Sequence, residues 1–169
     1  MKNITLFFTF FLLSTIVIGQ NIKALDEKNG FREYNFGVDT NAIPNLMFIG
    51  ESGGERSYKK TDEKMSIGDA EIESIQYIFY KNQLSSVYIS TNNLTNSRAV
   101  LRVLRELYGN GYKPNQFMDK YNWSGKRVYL VYDENSITGG ATILMWSKLL
   151  YEQKKADEKE NAKNAKGDM

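Results

Sequence analysis

The chain has 169 residues and contains neither cysteine nor histidine. Without thiols there is no disulfide, no thiolate nucleophile and no sulfur ligand, so the fold must rest on packing. Without imidazole the most frequent general base and the most frequent metal ligand are both missing. Any metal would have to be held by oxygen alone, which narrows the ion to calcium or magnesium. Charge of one sign is also lacking: 22 Lys and Arg stand against 20 Asp and Glu, a net +2. A nucleic-acid binder normally concentrates basic residues into a stripe, so no nucleic-acid partner is expected.

Only one long apolar run is present. It extends from Ile4 to Ile18, follows Lys2 and ends before Gly19-Gln20-Asn21. An early positive charge, an apolar stretch and a small residue ahead of a polar segment are the parts of a signal peptide. The reading is therefore a signal over residues 1–20, cleavage near Gly19 or Gln20, and export to the periplasm or beyond. The run falls short of the roughly 20 apolar residues that a spanning helix needs, so no stable membrane insertion is expected after cleavage. What remains fits one domain. Residues 21–29 read as a flexible lead-in, 30–150 as a single α+β domain and 151–169 as a charged tail.

Within the domain, Gly30 to Gly37 has the composition of a short strand between turns, and a brief helical turn is expected near Asn41 to Leu46, limited by Pro44. Leu46 to Ile49 reads as a further short strand. Ile75, Tyr77 and Phe79 alternate with Gln76, Ile78 and Tyr80, and after Lys81-Asn82-Gln83 the segment Leu84 to Thr91 alternates again, which predicts a hairpin. Val100, Leu101, Leu104, Leu107 and Tyr108 form one helical stripe, with Thr95 or Ser97 as cap and Gly109 as terminator. Phe117 to Trp123, Arg127 to Asp133 and Ala141 to Trp146 read as three more strands, the last two apolar on both faces. The whole predicts an antiparallel sheet with one long helix packed on a face, arranged as two tandem helix-then-strands units. Tyr151 to Asp168 reads as a helical or disordered tail with no apolar stripe for docking.

Several short motifs resemble those of a family of small, uncharacterised, exported proteins of Gram-negative bacteria. They are Gly30-Phe31-Arg32 with Phe36-Gly37, Ile67-Gly68-Asp69-Ala70, Tyr108-Gly109 with Gly111-Tyr112-Lys113-Pro114, and Tyr121-x-Trp123-x-Gly125-Lys126. The resemblance implies export and one α+β domain; it implies no catalytic residues.

The chemical candidates are thin. Gly50-Glu51-Ser52-Gly53-Gly54 satisfies G-x-S-x-G, yet a serine nucleophile needs a base, and the chain has no histidine to provide one. A surface turn is the better reading. Asp133-Glu134-Asn135-Ser136 and Asp62-Glu63 cluster oxygens, but neither matches a twelve-residue calcium loop. Gly53-Gly54 and Gly139-Gly140 lack the rest of a phosphate-binding pattern. Asp69, Glu71 and Glu73 could supply the two carboxylates of a glycosidase. No catalytic residue, metal site or cofactor is therefore assigned.

Aromatic residues carry more information: eleven tyrosines and two tryptophans, many on alternating strands. Tyr80, Tyr88, Tyr129 and Trp146 fall on one face, able to hold a protein partner or a small apolar ligand if no helix covers it. The expectation is a non-catalytic exported binding module, with a homodimer through the same face as one form of association. The alternatives are a carboxylate-dependent hydrolase of cell-envelope glycans and a structural envelope component.

Overall fold

The structure, a computed structural model, describes residues 20–167. The segment read as a signal peptide lies outside those residues apart from Gln20. The chain begins with α1 (Ile22–Lys28), a small hairpin of β1 (Gly30–Phe31) and β2 (Tyr34–Asn35), and a 3-10 turn at Thr40–Ala42. Then come β3 (Leu46–Ser52), β4 (Glu55–Lys60), a second small hairpin of β5 (Ser66–Ile67) and β6 (Ala70–Glu71), β7 (Ser74–Tyr80) and β8 (Gln83–Ser90). The second half is α2 (Leu94–Tyr108), β9 (Lys120–Ser124), β10 (Val128–Glu134), β11 (Ala141–Ser147) and α3 (Lys148–Gly167).

Seven strands make one antiparallel sheet in the order β3-β4-β7-β8-β11-β10-β9. Each half is thus a helix followed by a meander, and the two meanders join where β8 pairs with β11, Ile89 opposite Ile143 and Val87 opposite Met145. The period-two pattern decides which residues face the helices. Ile75, Tyr77, Phe79, Val87, Ile89, Leu130, Tyr132, Ile143 and Met145 form one core with Leu25 of α1 and with Val100, Leu101, Leu104 and Tyr108 of α2. The opposite face, which carries Tyr88, Tyr129 and Trp146, is left outside this core.

Several sequence expectations need correcting. Residues 21–29 are not a flexible lead-in. Leu25 is fully buried, and Asn21 caps α1 through its side chain, which accepts from Ala24 N at 3.3 Å. The domain therefore starts before residue 30. Residues 30–37 form a two-residue hairpin turning at Arg32, whose φ is 52°, not one strand. Asn93 caps α2, its side chain accepting from Asn96 N at 2.9 Å. Ser97 is instead buried and donates to Asn93 O at 2.7 Å. Leu107 is exposed, because its place on the helical wheel is the flank of the stripe. Gly109 does end the helix, with φ 71° and its N–H bonded to Arg105 O. Strand β4 had no sequence signal, since Glu55-Arg56-Ser57-Tyr58-Lys59-Lys60 is mostly charged.

The tail is helical as expected, but it docks. Leu150 is buried, Lys154 pairs with Glu55 at 2.6 Å, and Asp157 accepts from Tyr80 Oη and pairs with Lys81. Polar contacts do what a missing apolar stripe could not.

The two helix–sheet layers are pinned by Asp26. Its carboxylate accepts from the backbone N–H of Lys126, Arg127 and Val128 at 2.7, 2.8 and 3.2 Å. A Cβ on Gly125 would meet Asp26 Oδ1 at 2.1 Å, so only glycine admits this approach. Burial pulls the carboxyl's pKa up, but the three backbone donors together with Lys148 bring it below its ordinary value. A depressed carboxylate stabilises above its unfolded pKa, and that contribution is lost as pH falls through the folded value. Asp26→Ala is expected to cost about 1–3 kcal/mol at neutral pH, with a smaller deficit in acid; equal deficits in urea titrations at pH 7 and pH 2.5 would contradict the assignment.

Candidate functional site

The sheet face away from α1 and α2 holds an open groove of about 830 Å³. Tyr88, Val131, Thr142, Leu144 and Trp146 line its floor, from β8, β10 and β11. These residues share the face because alternation points their neighbours Val87, Leu130, Ile143 and Met145 into the core. The loop 135–140 and Met118 form its walls, while Glu73, Lys120 and Asp133 bring charge to the rim.

The four residues singled out from the sequence meet different fates. Tyr88 and Trp146 both line the groove, and Tyr88 Oη lies 3.3 Å from Thr142 Oγ1. Tyr129, opposite Trp146 in the β10–β11 register, stacks on its ring with centroids 4.6 Å apart and planes at 30°. It holds the indole in place and does not line the groove. Tyr80 is a correction. It points to the same side of the sheet, but α3 covers it, leaving it buried. Its hydrogen bond to Asp157, followed by burial, pushes its pKa up to about 12. α3 also places Tyr151 with its ring centroid 6.1 Å from that of Trp146, and a second hollow of about 320 Å³ between helix and sheet shares Leu144 and Trp146 with the first. Trp146 thus stands between two chambers, one open and one under α3.

Loop geometry explains the wall. Asn135 Oδ1 accepts from Ile137 N and Thr138 N at 2.9 and 3.0 Å, and Gly139 takes φ 71°, so the loop is held by its own turn chemistry. Arg98 of α2 donates to Asp119 and Glu134, both at 2.8 Å, tying the starts of both flanking segments to the helix. Glu134, itself nearly buried, also accepts from Tyr132 Oη at 2.5 Å. Burial, then this bond, raises the tyrosine's pKa. The wall carries apolar side chains into water: Ile137 is 92% exposed and Met118 49%. Sequence reasoning missed both as site residues. The available signal was isolated apolar residues inside polar turns, Asn135-Ser136-Ile137-Thr138-Gly139 above all.

The chemical candidates are placed in turns, in ion pairs or in water. Gly53 and Gly54, with φ 56° and 73°, make the turn between β3 and β4, and Ser52 is exposed. The oxygens of Asp133 and Glu134 are taken by Lys120 and by Arg98 with Tyr132. Among the described residues no cluster of three or more carboxylates could hold a metal. Asp69 is in an exposed turn, 3.5 Å from Arg102. Glu71 and Glu73 are exposed as well, and Glu73 accepts from Ser90 Oγ at 3.1 Å. All three stand in water. No helix among the described residues is long and apolar enough to cross a membrane. Comparison of the chain with protein-family models, with curated proteins and with solved structures finds no match.

Proposed function

We propose that the protein is an exported, non-catalytic binding module whose site is the groove on the outer sheet face. The observation that carries this reading is the groove itself: an aromatic floor with Tyr88 and Trp146, left uncovered by α1 and α2. Its openness and its rim of exposed Met118 and Ile137 favour a segment of another protein over a small apolar molecule. Exposed apolar groups around a polar-edged concavity mark interaction surfaces, and aromatic residues dominate their energetics. Export rests on the N-terminal sequence pattern.

Glycan hydrolysis is less favoured because the Asp69, Glu71 and Glu73 carboxylates stand in water. The binding reading is tested by replacing Tyr88 and Trp146 with alanine together. Both are only half-buried, so the melting temperature is expected to fall by no more than about 10 °C. Cross-linking of the full chain to its envelope partner, through a photoreactive residue at Val131 on the floor, is expected to be lost. A variant that cross-links as well as the parent rules the groove out.

A further inference from the structure

The two edges of the sheet are treated differently. At the β9 edge, Tyr112 N donates to Asn122 O and Asn122 N donates to Tyr112 O, each at 2.8 Å, so one bridge already occupies the middle of that strand. At the other edge β3 has a neighbour on one side only among the described residues. Its sequence Leu46-Met47-Phe48-Ile49-Gly50 carries no charge and no proline, and Met47, Phe48 and Ile49 are 49%, 54% and 40% exposed. Natural edge strands are usually blunted by lysine, proline or cover. Here only a bulge between Phe48 and Gly50 and Glu51, paired with Arg56 at 3.0 Å, serve that purpose.

An aromatic ladder runs out to this edge. Phe79 in the core meets Tyr58 edge-on at 5.3 Å, and Tyr58 meets Phe48 edge-on at 5.6 Å. The ladder stops at Phe48, with the ring in water. We infer that β3 pairs antiparallel with β3 of a second copy about a two-fold axis at Phe48, forming a homodimer with one continuous sheet.

The occupant is argued from self-complementarity. In that register Phe48 meets Phe48 of the other copy and continues the ladder; the bulge takes Ile49 out of the ladder, so Met47 faces Gly50, whose missing side chain leaves open space. The strand's single charge, Glu51, falls opposite the neutral Leu46, so no like charges meet. The contact joins the same strand of both copies and uses it up in each, so the assembly closes at two copies without growing into a fibre. A strand-to-strand contact of this length is smaller than a standard stable interface, so the dimer is expected to depend on concentration.

Sedimentation velocity of the purified protein from about 5 μM to about 500 μM tests this. The expected result is a mass rising from one copy to two and no further. Phe48→Lys is expected to weaken the dimer at least about tenfold, and Trp146→Ala to leave it unchanged, which separates this contact from the groove. Met47→Lys, on the other face of the strand, gives the same reading should Phe48→Lys melt early by circular dichroism. A mass that stays at one copy, grows beyond two, or rises equally in both lysine variants overturns the inference.

Discussion

Trp123→Ala is expected to remove about 3–5 kcal/mol of stability, the range for emptying a large buried aromatic site. The indole is fully buried on the core side of β9, and its Nε1 donates to Gly109 O at 2.8 Å. That carbonyl belongs to the glycine that ends α2, so one side chain joins a strand, a helix terminus and the core. Gly111 packs flat on the ring, where a Cβ would meet it at 2.9 Å; alanine at 123 leaves this backbone facing a void. For a domain of this size the loss corresponds to roughly 10–15 °C in melting temperature. Trp123→Phe should retain most of the packing and lose mainly the hydrogen bond, about 1 kcal/mol. Thermal melts followed by circular dichroism check both, and a loss under about 1 kcal/mol for the alanine variant would show that the ring is not the wedge described.

The second large effect is expected at Arg32→Met. Glu63 is almost fully buried, ion-paired with Arg32, and its other oxygen accepts from Tyr77 Oη at 2.6 Å. Burial, and then this bond, raises the pKa of the tyrosine, so it remains a donor throughout the ordinary range. Arg32 also donates to Lys64 O and Ser66 O, tying the β1–β2 turn to the loop before β5. Removing the cation leaves a buried carboxylate with one neutral donor, a change that costs about 3–5 kcal/mol. The double change Arg32→Met with Glu63→Leu should be milder than the single one, because no uncompensated charge remains. Urea titrations of the three proteins decide the point; a double variant weaker than Arg32→Met would mean that the pair acts chiefly through the hydrogen bonds of Arg32 to the loop.

Much of this architecture was legible in the sequence, and the reasons are specific. The alternation in Ile75–Tyr80 and Val128–Tyr132 fixes which face is buried, because a one-residue slip would turn every side chain over. The stripe through Val100, Leu101, Leu104 and Tyr108 fixes α2, and Gly109 its end. Elements held by long-range or polar contacts were not legible. α1 is seven residues with one buried side chain, Leu25, and its place depends on Asp26 reaching backbone donors a hundred residues away. β4 is mostly charged, and its pairing with β7 is visible only in three dimensions. The docking of α3 uses Lys154 and Asp157, which look like plain solvated charges in a Lys- and Glu-rich run. That docking is also why Tyr80 was misplaced: alternation assigns its face correctly but says nothing about a helix returning over it. Tyr88 and Trp146 were found because their strands alternate. Met118 and Ile137 were not, because loops carry no periodicity.

We propose this outer face as the surface by which the protein acts. It is tested most directly by placing a photoreactive residue, one at a time, at Val131 and Thr142 in the groove and at Arg105 and Glu106 on the exposed side of α2, and irradiating cells that produce the full chain. One discrete adduct is expected from the two groove positions and none from the helix. Adducts from α2 alone, or from all four positions equally, would contradict it.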